Sequence, residues 1–288
     1  MKITLRQLEI FTHIAELGTV TAAAEKIHLT QSAASAALQE LEESLNGRLF
    51  DRKGKRLIIN SHGQSVLIKA KNILDQAHSL TEDSLETTYR ISIAASTTIG
   101  NYNLPSLLSQ FNKRNKNVKF SVHITNTEAA IEKVRTLEVD FGLIEGHCVD
   151  RNIQRENWKQ DNLIIISREN HPISKKEQIR FNDLLQYRWV CREHGSGTGD
   201  TFSRHIEHKY RIDIETVLPS TEAVKQYVRY SDCFACVSAS TIDMTLQTGL
   251  KQLEVTDFTL YRQLSLITRK NKQQHDGAEQ FMSFLNQT

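Results

Sequence analysis

In the later two-thirds of this 288-residue sequence, small hydroxyl and glycine residues recur where short β-branched runs end. Ser96, Thr97 and Thr98 follow Ile91–Ala95, and Thr125 follows Val118–Ile124. Glu145 follows Phe141–Ile144, while Ser196, Gly197 and Thr198 lie beyond Trp189–Cys191 and Thr221 beyond Glu215–Leu218. One hydroxyl at a helix start is only an N-cap. Repetition at successive strand ends predicts a ring of donors around one cleft. Free N–H groups and helix dipoles there favour an anion. Glu145, Glu193 and Glu222 share these loops and oppose a plain anion. A zwitterion, its acid end on the hydroxyls and its amine on a Glu, satisfies both. Alternatively, Arg192 or His147 neutralises a Glu and leaves a simple anion site.

A second chemistry lies near the N-terminus. Gln31, Ser32, Ser35 and Gln39 form the polar face of a helix capped by Thr30, and such side chains hydrogen-bond to base edges. Residues 48–56 follow with five cations (Arg48, Arg52, Lys53, Lys55 and Arg56) against Asp51 alone. Arg52, Lys53, Lys55 and Arg56 are candidates for phosphate contact. The formal net charge of the whole chain is only +2, which excludes a histone-like polycation.

The elements carrying these groups read as follows. Leu5, Leu8, Phe11 and Ile14 predict a helix ending at Gly18. Thr19 caps a short helix containing Ala22, Ala23 and Ala24. The next helix, Gln31 to about Leu45, buries Ala34, Leu38, Leu41 and Leu45. Two short helices joined by a tight turn make a helix-turn-helix, and a hairpin turning at Gly54 into Leu57-Ile58-Ile59 makes a wing. Residues 61–88 read as one helix. Val66, Ala70, Ile73, Ala77 and Leu80 follow a heptad seam, which either pairs two chains or packs on its own domain. From Ile91 onward strands alternate with helices, predicting parallel sheets covered by helices, with ligands at the carboxyl ends of strands.

Other chemistries lack their motifs. There is no G-x-G-x-x-G after a strand, no Walker loop and no G-x-S-x-G elbow, so no enzyme is expected. Cys233 and Cys236 fit C-x-x-C, but three residues along a strand point to opposite faces. No metal site and no cofactor are therefore expected, and a redox response through these cysteines is the alternative reading. No apolar run approaches the ~18 residues of a membrane span. The N-terminus has no hydrophobic signal core, so a cytoplasmic protein without membrane contact is expected.

The segment TAAAEKIHLTQSAASAALQELEESLNGRLFDR, followed by LIINSHGQSVL, resembles the DNA-binding domain of LysR-type transcriptional regulators over residues 3–67. Ala36 and Ala37 stand where many relatives carry Arg or Gln at one of the two positions, which implies thinner direct base readout. STTIGNYNLPSLLSQF, VDFGLIEG, HGSGT and LPSTEAVKQYV resemble the family's effector-binding domain over residues 90–288, most like the branch of cysteine-metabolism and carbon-fixation regulators. Tyr230-Ser231-Asp232-Cys233-Phe234 replaces a Gly-rich segment usual there.

The resemblance implies an α/β chain. Its parts are an N-terminal winged helix-turn-helix (1–60), a linker helix (61–89) that dimerises, and a periplasmic-binding-protein-like domain (90–288). Two subdomains, 90–161 with 269–288 and 162–268, enclose the effector. The expected partners are double-stranded DNA, a small-molecule effector and further copies of the chain, as a dimer or tetramer.

Overall fold

The structure is a computed structural model. It describes residues 3–54, 56–79, 89–242 and 249–288. Two compact units divide near residue 87.

In the first unit, α1 (Leu5–Leu17) begins in a capping box: Gln7 N–H donates to Thr4 Oγ1, and the Gln7 side chain accepts from Thr4 N. It ends at Gly18, whose φ of 74° suits a residue without a Cβ. Helix α2 (Val20–Lys26) starts at Thr19 and α3 (Gln31–Ser44) at Thr30, both as expected. Ala23 and Ala34 are fully buried, so α2 and α3 cross closely. Strands β1 (Phe50–Lys53) and β2 (Arg56–Ile59) pair antiparallel around Gly54, giving the expected wing. Leu57 N–H donates to Gly18 O at 2.9 Å and ties the wing to α1. Phe11 meets Phe50 edge to face in the core.

Helix α4 (Ser61–Ser79) departs from a seam open to a partner along its length. Ala70 is 1% exposed and, with Val66, packs into its own domain's core, because α1 lies against this face. Ile73 is 45% exposed, and Leu80 lies outside the described residues.

The second unit runs β3 (Tyr89–Ser96), α5 (Leu104–Arg114), β4 (Val118–Thr125), α6 (Thr127–Arg135), β5 (Phe141–Glu145), β6 (Ile153–Arg168), α7 (Phe181–Leu184), β7 (Arg188–Arg192), α8 (Gly197–Ile206), β8 (Asp213–Leu218), α9 (Thr221–Arg229), β9 (Ala235–Ser238), β10 (Leu250–Leu253), β11 (Leu260–Arg269) and α10 (Asp276–Asn286). The expected parallel pairing holds for β3 with β4 and β5, and for β7 with β8. It fails for β6 and β11, which run antiparallel over ten residue pairs. The reason lies in the polar stretch Gln154–Asn162, which has no apolar alternation to announce a strand. Only the apolar end of β6, Leu163 to Ser167, was legible.

β11 also shifts the expected subdomain boundary. Leu264 to Ile267 pair with β5 in the first subdomain, while Leu260 pairs with Leu163, whose other neighbour Ser238 lies on β9 in the second, all within one seven-stranded sheet. The chain therefore changes subdomain within β11 rather than after it. The two subdomains have separate cores, one around Ile91, Phe141 and Phe281, the other around Phe181, Trp189 and Phe234.

Candidate functional site

On the first unit, Gln31, Ser32, Ser35 and Gln39 are all exposed along α3, because the buried stripe Ala34–Leu38–Leu41 occupies the opposite face. Thr30 Oγ1 accepts from Ala33 N at 3.2 Å and lies 3.1 Å from Ser32 Oγ. Gln39 Nε2 donates to Glu43 Oε1 at 3.0 Å, which leaves its second N–H and its carbonyl oxygen for a base. Lys53 and Arg56 are exposed on the wing strands and directly opposed in register. Arg52 lies on β1, and Lys55 lies outside the described residues.

On the second unit, the strand-end residues converge on one point, and Glu145 occupies it. Ser96 Oγ and Thr98 N–H each donate to Glu145 Oε1 at 2.8 Å. Thr198 Oγ1 donates to Glu145 Oε2 at 3.4 Å, and Arg262 Nη1 donates to the same oxygen. Ser96, Thr98, Glu145, Thr198 and Arg262 are all at most 4% exposed. Arg262 Nε donates to Asp161 Oδ2 at 2.7 Å, and Asp161 Oδ1 accepts from Ser238 Oγ at 2.7 Å. Arg262 also reaches Thr198 Oγ1 at 2.8 Å and Thr98 Oγ1 at 3.3 Å. Burial pushes the Glu145 carboxyl up, but the Arg262 guanidinium and the Ser96 and Thr98 hydrogen bonds outweigh it and hold it below the usual range.

Arg192 neutralises a Glu as expected, but that residue is Glu193, and Arg192 also donates to Thr221 Oγ1 at 2.7 Å. Glu145 is neutralised by Arg262 instead, and this corrects the expected zwitterion site. The acid end of a zwitterion also cannot use Ser96, Thr98 and Thr198 as they stand, since Glu145 already holds them. The rest of the ring is partly capping. Ser196 Oγ accepts from Gly199 N at the start of α8, and Thr97 Oγ1 donates to Thr125 O at 3.0 Å. Arg262, Asp161 and Ser238 were missed by sequence reasoning. A signal existed for Arg262: it sits in phase with Leu260, Leu264 and Leu266, all inward, and the two-residue period of a strand turns its charge into the domain.

The cleft is tightly closed. Glu128 N–H, from α6, donates to Gly195 O at 3.3 Å on the facing subdomain. Between Ser96, Thr97, Asn126 and Thr127 on one side and Arg192, Ser196 and Gly197 on the other lie about 130 Å³ of non-atom space, nowhere wide enough to seat a water. At the rim, Tyr102 donates to Glu222, which pairs with Lys225 Nζ at 2.7 Å. Lys225 also lies over the Tyr102 ring, 5.4 Å from its centroid.

Comparison with known proteins decides the family. Residues 5–64 match the bacterial regulatory helix-turn-helix protein, lysR family, and residues 85–288 match the LysR substrate binding domain. The chain belongs to the LysR family. This LysR-type regulator is 33% identical to the HTH-type transcriptional regulator YeiE of Escherichia coli, over 99% of its own length and 97% of that protein's. It is 30% identical to the RuBisCO operon transcriptional regulator of Allochromatium vinosum, over 99% of its length and 96% of that protein's, in keeping with the carbon-fixation branch. Its fold matches a full-length OxyR variant from Pseudomonas aeruginosa with a TM-score of 0.75 at 18% identity, covering 100% of this chain and 94% of that one.

The regulator is thus a DNA-binding transcription factor with an effector-binding domain, and its relatives are named as regulators rather than enzymes. Among the described residues no helix is long and apolar enough to cross a membrane, and no cluster of ligands suits a metal ion.

Proposed function

We propose that the regulator reads DNA through α3 and the wing and senses a small anionic or zwitterionic metabolite in the cleft, acting in the cytoplasm as a homo-oligomer. The division 1–60, 61–89 and 90–288 serves these roles in turn, with residues 61–89 joining reader to sensor. The exposed face of Thr30, Gln31, Ser32, Ser35 and Gln39 supports base contact. Arg52, Lys53, Lys55 and Arg56 add phosphate contact, since charge on a wing is sequence-independent. Ile73 is an exposed apolar residue among the described residues of the linker helix, with Ala77 one turn beyond, and it favours pairing between chains through the later part of the helix rather than through Val66 and Ala70.

The observation that carries the effector class is the donor set around Glu145. Two buried hydroxyls, a backbone N–H and a guanidinium meet on a single carboxylate from both subdomains. They are sized and charged for a carboxylate or an oxyanion. Ser96, Thr97, Thr98 and Thr125 on one side, and Ser196, Gly197, Thr198 and Thr221 on the other, frame that space, with Glu145 between them. A shift of one subdomain against the other on effector binding then changes how paired DNA-binding domains sit. Titration calorimetry with sulfate, phosphate, small carboxylates and amino-acid derivatives tests the class. Saturable binding by a member of this set supports it, and binding by apolar aromatic compounds alone contradicts it.

A further inference from the structure

Resting on that effector reading, we propose that Glu145 is a built-in competitor for the effector. Its carboxylate fills the anion-binding donor set and holds the two subdomains together when no effector is present. The set is satisfied as a bound ligand would satisfy it: Ser96 and Thr98 from the first subdomain, Thr198 from α8 in the second, and Arg262 from the strand crossing between them. The contacts are dry, with Glu145 and Arg262 side chains 3% and 1% exposed. The adjoining space seats no water, so an incoming anion has no room beside Glu145.

Binding is therefore an exchange, with one anion leaving the donors as another takes them. Two consequences follow. Affinity is set by the difference between the effector's bonds and those of Glu145, which keeps ordinary cellular anions from triggering the sensor. The Glu145 side chain must also find a new place, so effector binding moves β5 and the loop after it. Gly197 supplies the space for the present arrangement: a Cβ there would stand 2.5 Å from the Glu145 Cβ, so α8 and Glu145 meet only because position 197 is glycine.

The experiment compares wild-type protein with Glu145→Ala and Glu145→Ser, using formate, acetate and sulfate as probes and chloride of equal ionic strength as the control. Removing the carboxylate leaves Ser96 Oγ and Thr98 N–H without their acceptor and Arg262 with Asp161 as its one carboxylate, and a free carboxylate of similar size takes the vacated place. The expected result is a thermal midpoint that rises with formate or acetate in both variants but not in wild type, with affinity by calorimetry at least about tenfold tighter than wild type. If Glu145→Ala folds poorly, recovery of folded protein in formate over chloride gives the same readout. Equal anion response in wild type and variants overturns the proposal, as does no response in any of them. A response confined to the variants, with wild type binding none of the metabolites named above, overturns the anionic-effector reading and the competition with it, leaving Glu145 only as the buried counter-ion of Arg262.

Discussion

Gly197 and Glu145 approach so closely that a Cβ on Gly197 would lie 2.5 Å from the Cβ of Glu145 and 2.6 Å from its carbonyl oxygen. Backbone stands on both sides of this contact, so neither partner can turn aside. Gly197→Ala is therefore expected to wedge α8 away from β5, at a cost of about 1–3 kcal/mol as for other overpacked sites. A fall of several degrees in the melting midpoint, with a larger radius of gyration for the isolated second unit, is the expected outcome. An unchanged midpoint would show that the subdomains separate freely there.

Arg262 is paired with two buried carboxylates, Glu145 and Asp161. Arg262→Met leaves both without their cation, and the expected loss is about 3–5 kcal/mol at neutral pH. The pH dependence should also reverse. In wild type the Glu145 carboxyl is held below its ordinary value, so its contribution is present above that value and fades as pH falls through the lower, folded one. Without Arg262 burial dominates and the folded value rises, so the variant gains stability relative to wild type on acidification. Urea unfolding at pH 7 and pH 4.5 measures both effects. Parallel pH profiles would contradict the assignment of Arg262 as the counter-ion.

Asp140 offers a separate test away from the cleft. It accepts Ser92 N–H at 2.8 Å and pairs with Lys272 at 3.0 Å and His275 at 3.5 Å, fastening the segment before α10 to the sheet. Burial raises its carboxyl, but His275, Lys272 and the Ser92 amide bring it down to about 2. The stability this supplies is full above about 4 and is lost as pH falls toward about 2. Asp140→Asn should cost about 2 kcal/mol at pH 7 and flatten the acid limb of the stability profile. A variant that keeps the wild-type acid limb would place that sensitivity elsewhere.

How much of this was legible depended on whether a residue's role was local. Thr19, Thr30 and Gly18 declared their caps because a cap is set by neighbours in sequence. The wing followed from Gly54 and the β-branched run after it. The donors Ser96, Thr98 and Thr198 were found because strand ends repeat a pattern. Arg262 and Asp161 were not, since their meaning comes from the register of β11 on β6, where they stand directly opposite each other across a hundred residues of chain. The same non-local pairing hid the polar half of β6. Ala70 shows the converse error: its heptad spacing was real, but the helix uses that face for its own domain.

Oligomerisation can be examined at Ile73. Ile73→Asp changes an exposed side chain, so a single folded chain should tolerate it with stability altered by less than about 0.5 kcal/mol. Burial against a second copy would place an unpaired carboxylate in an apolar seam. Sedimentation should then show smaller species than wild type at equal concentration. An unchanged assembly would move the pairing surface off this part of α4.

The reading of DNA by α3 and the wing is tested most directly by selecting duplexes from a random pool with wild-type protein, then measuring affinities on the selected and on scrambled sequence. Gln31→Ala should lose about 1–3 kcal/mol on the selected site and nothing on the scrambled one. Lys53→Ala should weaken both similarly and reduce the salt slope by about one unit. Equal losses for Gln31→Ala on both duplexes, or no enrichment of any sequence, would contradict a base-reading role for α3.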